Sequence, residues 1–243
     1  MIRATRSVFI GTAGWAIPRG CAARLSGDGT HLQRYAEVFS CVEINSSFHR
    51  PHAAATYARW AAATPPTFRF AVKVPRTITH EGRLRNARSR LEEFLEQTSG
   101  LGSKRSALLV QLPPSLEFDR RVVVRFLDVL RARYDGTIVC EPRHESWLTA
   151  TAEAVLVHHR VARVAADPPP FAGADRPSGW PGVVYFRMHG SPRKYWSAYP
   201  AATIRALAVT LREAGTVAEA WCVFDNTASG AALENAFDLG NWC

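Results

Sequence analysis

The sequence predicts an α/β fold: a single (β/α)8 barrel of the TIM type, with the sixth helix replaced by a Pro/Gly-rich loop. Three observations predict it. Eight short apolar runs each end in polar residues. Helical patterns separate most of these runs, and strand-then-helix alternation implies a parallel sheet. The 243 residues also match the roughly 250 typical of one such barrel. No linker, repeat or low-complexity tract divides the chain, so a single domain over residues 1–243 is the economical reading.

In order, the strands are read at residues 8–11, 42–44, 70–74, 108–112, 138–140, 161–166, 183–188 and 221–224. The first helix with a clear pattern is alanine-rich, over 53–63, with Tyr57, Trp60 and Ala61 on one side. After strand three, Leu91, Phe94 and Leu95 mark the next helix, with Ser89 and Glu92 at capping-box spacing. Val123, Phe126, Leu127, Leu130 and Tyr134 then form one face of an amphipathic helix, begun by Asp119 as N-cap. Residues 150–160 also read as helical. Residues 167–182 do not: Pro168, Pro169, Pro170, Pro177 and Pro181 leave room only for an irregular loop or a short 3-10 turn. Before the last strand, Ile204, Leu207, Ala208 and Leu211 make a final stripe, with Gly215 as a natural stop.

Composition narrows the setting. No stretch approaches the roughly 20 apolar residues that span a bilayer. Residues 1–9 lack the long apolar region of a signal peptide, so a cytoplasmic location is expected. Cys21, Cys41, Cys140, Cys222 and Cys243 are scattered, with no CxxC spacing. They read as packing residues in a reducing compartment rather than as disulfides or zinc ligands. The formal net charge of +9 invites a nucleic-acid partner, because basic surfaces attract phosphate backbones. The basic residues are nearly all arginine, Lys73, Lys104 and Lys194 being the lysines. Arg76, Arg83, Arg85, Arg88 and Arg90 cluster after strand three, in a loop expected at the barrel mouth.

Barrel enzymes carry their chemistry where strands end, at the C-terminal face. Side chains alternate across a strand, so residues two apart share a face. Glu43 and Asn45 alternate with Val42 and Ile44. Tyr185, Arg187 and His189 alternate with Val184, Phe186 and Met188, and Glu141 and Arg143 oppose Cys140 and Pro142. The apolar sets pack on helices, which turns the polar sets inward. The same logic adds Lys73, Gln111, Asp167 and Asp225. Such groups must pair with one another or serve a ligand, because an unpartnered buried charge is costly.

A divalent-metal site from Glu43, Glu141, Asp167 and His189 is chemically admissible. Three cations in the same volume would neutralise those carboxylates and repel a metal, so no cofactor is expected. An anion held by Lys73, Arg143 and Arg187 fits better, since arginine grips phosphate or carboxylate bidentately. Glu43, Glu141, Asp167 and His189 are then the candidate general acids and bases. Trp15, Trp147 and Tyr195 near the strand ends could stack on a ligand, and His80 and His144 on mouth loops could carry protons.

In sequence order the motifs are Glu43-Ile44-Asn45-Ser46-Ser47-Phe48, Lys73-Val74-Pro75-Arg76 with Thr79-His80, and Gln111-Leu112-Pro113-Pro114. They continue with Glu141-Pro142-Arg143-His144 and Ser146-Trp147, Arg187-Met188-His189-Gly190 with Tyr195-Trp196, and Phe224-Asp225-Asn226-Thr227. The ordered set resembles the YecE-like family of bacterial barrel proteins, whose biochemical function is unknown. The resemblance implies a TIM-type barrel with signature residues at the strand ends, Asn226 among them, and supplies no reaction. The chain departs from that pattern at His49, where tyrosine is usual, and at Asp225, where asparagine is usual. Its first loop also lacks an aromatic Phe-Tyr-Pro-like stretch.

The resulting expectation is an enzyme, a hydrolase or an isomerase/lyase, using general acid/base chemistry on a phosphorylated or otherwise anionic substrate. Two alternatives stand beside it. One is a nucleic-acid or nucleotide-binding protein, nuclease-like by analogy with endonuclease IV-type barrels. The other is an isomerase or lyase for a sugar-like metabolite. On either enzymatic reading, Arg187→Ala is expected to weaken ligand binding with little change in fold.

Overall fold

The computed structural model describes residues 8–243; of residues 1–9, read as lacking a signal peptide, 1–7 lie outside them. Each apolar run forms a strand: β1 (Val8–Ala13), β2 (Cys41–Ile44), β3 (Arg69–Lys73), β4 (Arg105–Gln111) and β5 (Thr137–Glu141). The sixth run is split into β6 (Val161–Arg163) and β7 (Ala165–Asp167). A two-residue β8 (Ser178–Gly179) precedes β9 (Val183–Met188) and β10 (Glu219–Phe224). Neighbours pair in the order β7-β9-β10-β1-β2-β3-β4-β5-β6-β8. Every pairing is parallel except that of β6 with β8.

The seam lies in the sixth run. β6 pairs with β5, and the Val164 N–H still reaches Cys140 O at 2.8 Å. β7 then pairs with β9. One interrupted strand therefore grips both neighbours in turn and nearly closes the barrel.

The connections follow the capping chemistry. Helix α1 (His31–Ala36) opens with a Thr30–Gln33 capping box, and short α2 (Ser46–His49) leads into α3 (Ala54–Ala62). Next come α4 (Arg88–Thr98), α5 (Arg120–Arg131), α6 (Ala150–His158), α7 (Ala201–Ala214) and α8 (Ala231–Gly240). Asp119 caps α5 as expected, accepting from the N–H groups of Arg121 and Val122 at 3.0 and 3.2 Å. The Ser89–Glu92 capping box does not form. Helix α4 starts two residues earlier, at Arg88 with Ala87 as its N-cap, which places Ser89 inside the first turn.

Residues 168–182 contain no helix, as the prolines require. β8 lies there antiparallel on β6, with Gly179 opposite Ala162. Gly179 has φ +76°, and a Cβ on it would sit 2.5 Å from Val161 O, so only glycine fits. Glu153 of α6 fastens the loop, accepting from Gly179 N at 2.6 Å and Ser178 Oγ at 3.0 Å.

Strand parity divides the core in two. Val42, Ile44, Phe70, Val72, Leu108 and Val110 face the helices. Cys41, Ala71, Leu109, Val139, Tyr185 and Val223 fill the barrel interior. Two residues further along each of these inner positions stand Glu43, Lys73, Gln111, Glu141, Arg187 and Asp225. The polar layer at the mouth is thus the next storey of the apolar interior. Among the described residues, no helix is long and apolar enough to cross a membrane.

Candidate functional site at the barrel mouth

Arg187 is the centre of this layer and is 0% exposed. Its Nε and Nη2 grip Glu43 bidentately, at 3.0 Å to Oε2 and 2.6 Å to Oε1. Nη1 donates to Glu141 Oε2 at 2.5 Å, and Nη2 also reaches Asp225 Oδ2 at 3.1 Å. Three carboxylates from three strand ends therefore converge on one guanidinium.

The surrounding groups complete the arrangement. Tyr185 hydroxyl donates to Glu43 Oε2 at 3.1 Å. Glu141 accepts from Gln111 Nε2 at 3.0 Å, and from Arg143 Nε and Nη2 at 3.1 and 3.0 Å. The His189 ring lies between two acids, with Nδ1 3.0 Å from Asp225 Oδ2 and Nε2 3.3 Å from Glu141 Oε1. Burial would push the Glu141 carboxyl up, but Arg187, His189 and Arg143 hold it well below the usual carboxylate range. Asp225 is depressed in the same way, with burial overcome first by Arg187. Its side chain is 13% exposed, and its Oδ1 accepts no hydrogen bond among the described residues.

Above the layer opens a cleft of about 630 Å³. Lys73, Arg76, Arg143, Asn45, His80 and Asp225 line it, with Tyr195 on its edge. Lys73 has no carboxylate at ion-pair distance among the described residues; its Nζ sits 4.1 Å from the centroid of the Phe48 ring. Burial, reinforced by Arg187, pushes the Lys73 ammonium down to about 8 against the pull of Glu43, Glu141 and Asp225. His80 is pushed to about 4 by burial and then by Lys73, Arg143 and Arg76, which leaves the imidazole neutral at physiological pH. Asn45 Oδ1 is buried and unpartnered. The Tyr195 ring stands edge-on to His189 at 5.5 Å, and its hydroxyl lies 3.5 Å from Arg143 Nη2.

Several expected site residues lie elsewhere. Asp167 does not join the inward set. Ala162 and Val164 face the interior, so Ala165 and Asp167 share the outer parity. The Asp167 carboxylate instead accepts from Tyr199 hydroxyl at 2.7 Å. Trp147 is buried in the core, its Nε1 donating to Leu116 O at 3.0 Å and its ring packed on Phe118. Asn226 is buried one step out of phase with Asp225 and ties Ser197 O to Asn235 Oδ1, each at 2.9 Å. Trp15 packs edge-on against Trp60 at 4.9 Å, outside the cleft lining.

Arg187 and Glu43 belong to the floor and bind each other rather than facing the cleft. Phe48, Ser46, His49 and Arg76 do line it, although strand parity does not nominate them. Their signal is position, since the first turn after a barrel strand faces the mouth.

The basic run divides. Arg76 lines the mouth, whereas Arg83 donates to Ser115 Oγ and O at 3.0 and 2.8 Å. Arg85, Arg88, Arg121 and Arg125 line a separate groove of about 550 Å³ between α4 and α5, with no carboxylate in its lining. For a metal ion, the oxygens of Glu43 and Glu141 and Asp225 Oδ2 already accept from guanidinium, amide, phenol or imidazole groups. Among the described residues, no group of three His, Cys, Asp or Glu side chains is disposed to hold one.

A nearly closed parallel α/β barrel, floored at its C-terminal mouth by buried charge, defines a barrel protein whose polar site is built from strand ends. Within that class, the chain belongs to the family described as "Protein of unknown function DUF72", whose profile matches residues 9–241. It is 29% identical over 147 residues to UPF0759 protein YecE of Escherichia coli K12, covering 60% of this chain and 52% of that one. It is 26% identical over 148 residues to UPF0759 protein YunF of Bacillus subtilis, covering 58% and 52%. These matched stretches span about half the length of the curated relatives.

The fold matches a DUF72 family protein from Enterococcus faecalis V583 with TM-score 0.79 and 22% identity, over 98% of each chain. A DUF72 family protein from Thermotoga maritima MSB8 matches with TM-score 0.78 and 24% identity, over 96% of this chain and 98% of that one. The YecE-like resemblance is borne out, and so is an α/β barrel of parallel strands, nearly closed.

Proposed function

We propose that the chain is an enzyme that binds a small phosphorylated or otherwise anionic substrate in the mouth cleft and acts on it by general acid/base chemistry. One observation carries the reading. The cleft lining bears Lys73, Arg76 and Arg143; Arg76 pairs with Glu81 and Arg143 with Glu141, while Lys73 has no carboxylate at ion-pair distance among the described residues. An anion entering there meets the unpaired Lys73 amine and the unbonded Nη1 of Arg143 in a partly desolvated site, where electrostatic attraction is stronger than in water.

The division of labour differs from the one that sequence suggests. Arg187 is fully engaged by carboxylates, so it fixes the floor, while Arg143, whose Nη1 Glu141 leaves unbonded, meets the anion with Arg76 at the rim beside Glu81. Asp225, with its outward Oδ1 and with His189 behind it, is the proton acceptor; neutral His80 is the second proton carrier. Glu141 and Glu43 position Arg143 and Arg187. Five free cysteines, four of them buried, support placing the protein in the reducing cytoplasm. The test is calorimetric titration with phosphorylated and carboxylated metabolites at low ionic strength. Arg143→Gln should weaken binding by about tenfold or more, the loss of one charge-assisted contact. A broad panel that fails to bind at all would refute the reading.

A second reading rests on the groove between α4 and α5, lined by four arginines of which Arg85 pairs with Asp119. Phosphodiester backbones suit such a surface without base recognition. Oligonucleotide affinity should then fall steeply with salt. No binding at low ionic strength ends that alternative.

A further inference from the structure

The three lysines of the chain occupy three different environments. Lys104 Nζ is held by Ala61 O, Thr64 O and Thr64 Oγ1, at 2.5, 2.6 and 3.1 Å. Lys194 sits on the mouth loop beside the Tyr195 ring, at 5.3 Å. Lys73 ends β3 on its inward face and is only 8% exposed. Its amine lines the cleft, yet among the described residues no acid pairs with it and no group accepts a hydrogen bond from it.

The other cations of the floor are engaged, Arg187 by three carboxylates and Arg143 by Glu141. An ammonium evolved only to neutralise this layer would be expected to sit on one of those oxygens. Lys73 does not. It stands in partial desolvation with Arg187 nearby, the setting that lowers the proton affinity of a lysine amine and raises its neutral, nucleophilic fraction.

We propose that Lys73 is a nucleophilic residue whose amine condenses with the carbonyl of the substrate to form an imine, which makes the substrate an anionic aldehyde or ketone. The anionic half of this assignment rests on the cleft reading above; the imine does not. The Lys73 lone pair attacks the carbonyl carbon, and the C=O pair moves to oxygen. One proton passes from nitrogen to that oxygen, giving a carbinolamine. Protonation of its hydroxyl and loss of water leave the iminium. Amine, carbonyl and one proton thus become iminium and one water, with no change of oxidation state.

The site fits each stage. Asp225 Oδ1 faces the same cleft and can take up the proton that leaves nitrogen. The Phe48 ring face lies where the cationic iminium would form, and aromatic faces favour cations. The unpartnered Asn45 Oδ1 can accept from a substrate hydroxyl.

Reductive trapping on the whole chain tests the assignment. The protein is incubated with glycolaldehyde phosphate, pyruvate or uncharged glycolaldehyde and sodium cyanoborohydride, then mapped by peptide mass. One adduct is expected, at the probe mass less one oxygen, on the peptide carrying Lys73. It should form about tenfold or more faster than adducts on Lys104, Lys194 or the denatured chain. The rate should rise through about pH 8, the value set by burial and Arg187 against Glu43, Glu141 and Asp225, with His80 already neutral. Lys73→Arg should lose the adduct, and Lys104→Arg should keep it.

Labelling spread evenly over the lysines, or equal in the denatured chain, overturns the proposal. Uncharged glycolaldehyde trapping Lys73 as fast as its phosphate would leave the imine standing and refute the anionic-substrate reading. Phosphate compounds that bind by calorimetry while Lys73 is never trapped would do the reverse.

Discussion

Arg187→Ala should destabilise the fold, not merely empty the mouth. The guanidinium makes four hydrogen bonds to three carboxylates. Without it, fully buried Glu43 keeps only the Tyr185 hydroxyl, while Glu141 and Asp225 each lose a charged partner. Breaking one buried ion pair by deleting a single partner costs about 3–5 kcal/mol. A domain of this kind holds roughly 5–15 kcal/mol in total, so the variant should lie near the edge of stability. The expectation from sequence, that the fold would barely change, is thereby reversed.

Urea unfolding followed by tryptophan fluorescence measures this, with Arg187→Met and the double variant Arg187→Met/Glu43→Gln beside it. The double variant should recover about half of the loss, because it removes the uncompensated carboxylate along with its partner. The pH dependence has a definite sign. In the wild type, Glu141 lies below its unfolded value of about 4.3, so its contribution is present above that pH and lost as pH falls through the folded value. In the variant, burial acts without Arg187 and favours the protonated acid. The gap between wild type and variant should therefore widen from pH 4 to pH 7. A variant within about 1 kcal/mol of wild type at pH 7, with a gap flat in pH, would refute the reasoning.

Lys73→Met should stabilise the protein at pH 7 by up to about 3 kcal/mol, the equivalent of a fall from 10.5 to about 8. The unfolded chain binds the extra proton between those values, so wild-type stability rises with pH there and the gap closes by pH 10.5; parallel urea curves across that window would contradict it. Trp147→Phe should cost about 1 kcal/mol through its lost bond to Leu116 O, with ligand affinity unchanged by calorimetry. Arg121→Gln/Arg125→Gln should relieve an i,i+4 repulsion on α5 and raise stability by a few tenths of a kcal/mol. The same pair should make the log–log salt slope for an oligonucleotide shallower by about 2.

What the sequence could reveal follows from parity and from the limits of parity. Cys41 with Glu43, Val139 with Glu141 and Tyr185 with Arg187 are inner positions two residues apart on regular strands, so alternation alone puts their charges in one layer. The same count fails at Asp167, because its parity follows Ala165, on the outer face of the divided sixth run. Trp147 follows Glu141 closely in sequence, but the 3-10 turn Glu145–Trp147 carries its ring into the core. Which cation would remain available was also beyond alternation, yet it has a physical cause. A guanidinium fork matches a carboxylate bidentately, whereas an ammonium is a strongly hydrated point charge. Where two arginines and one lysine converge on three carboxylates, the forks engage the oxygens and the lysine is left facing the cleft. Exchanging Arg143 and Lys73 for each other would preserve the formal charge of the layer while removing the fork that now binds Glu141, so the chemistry of this mouth depends on which cation stands at which strand end.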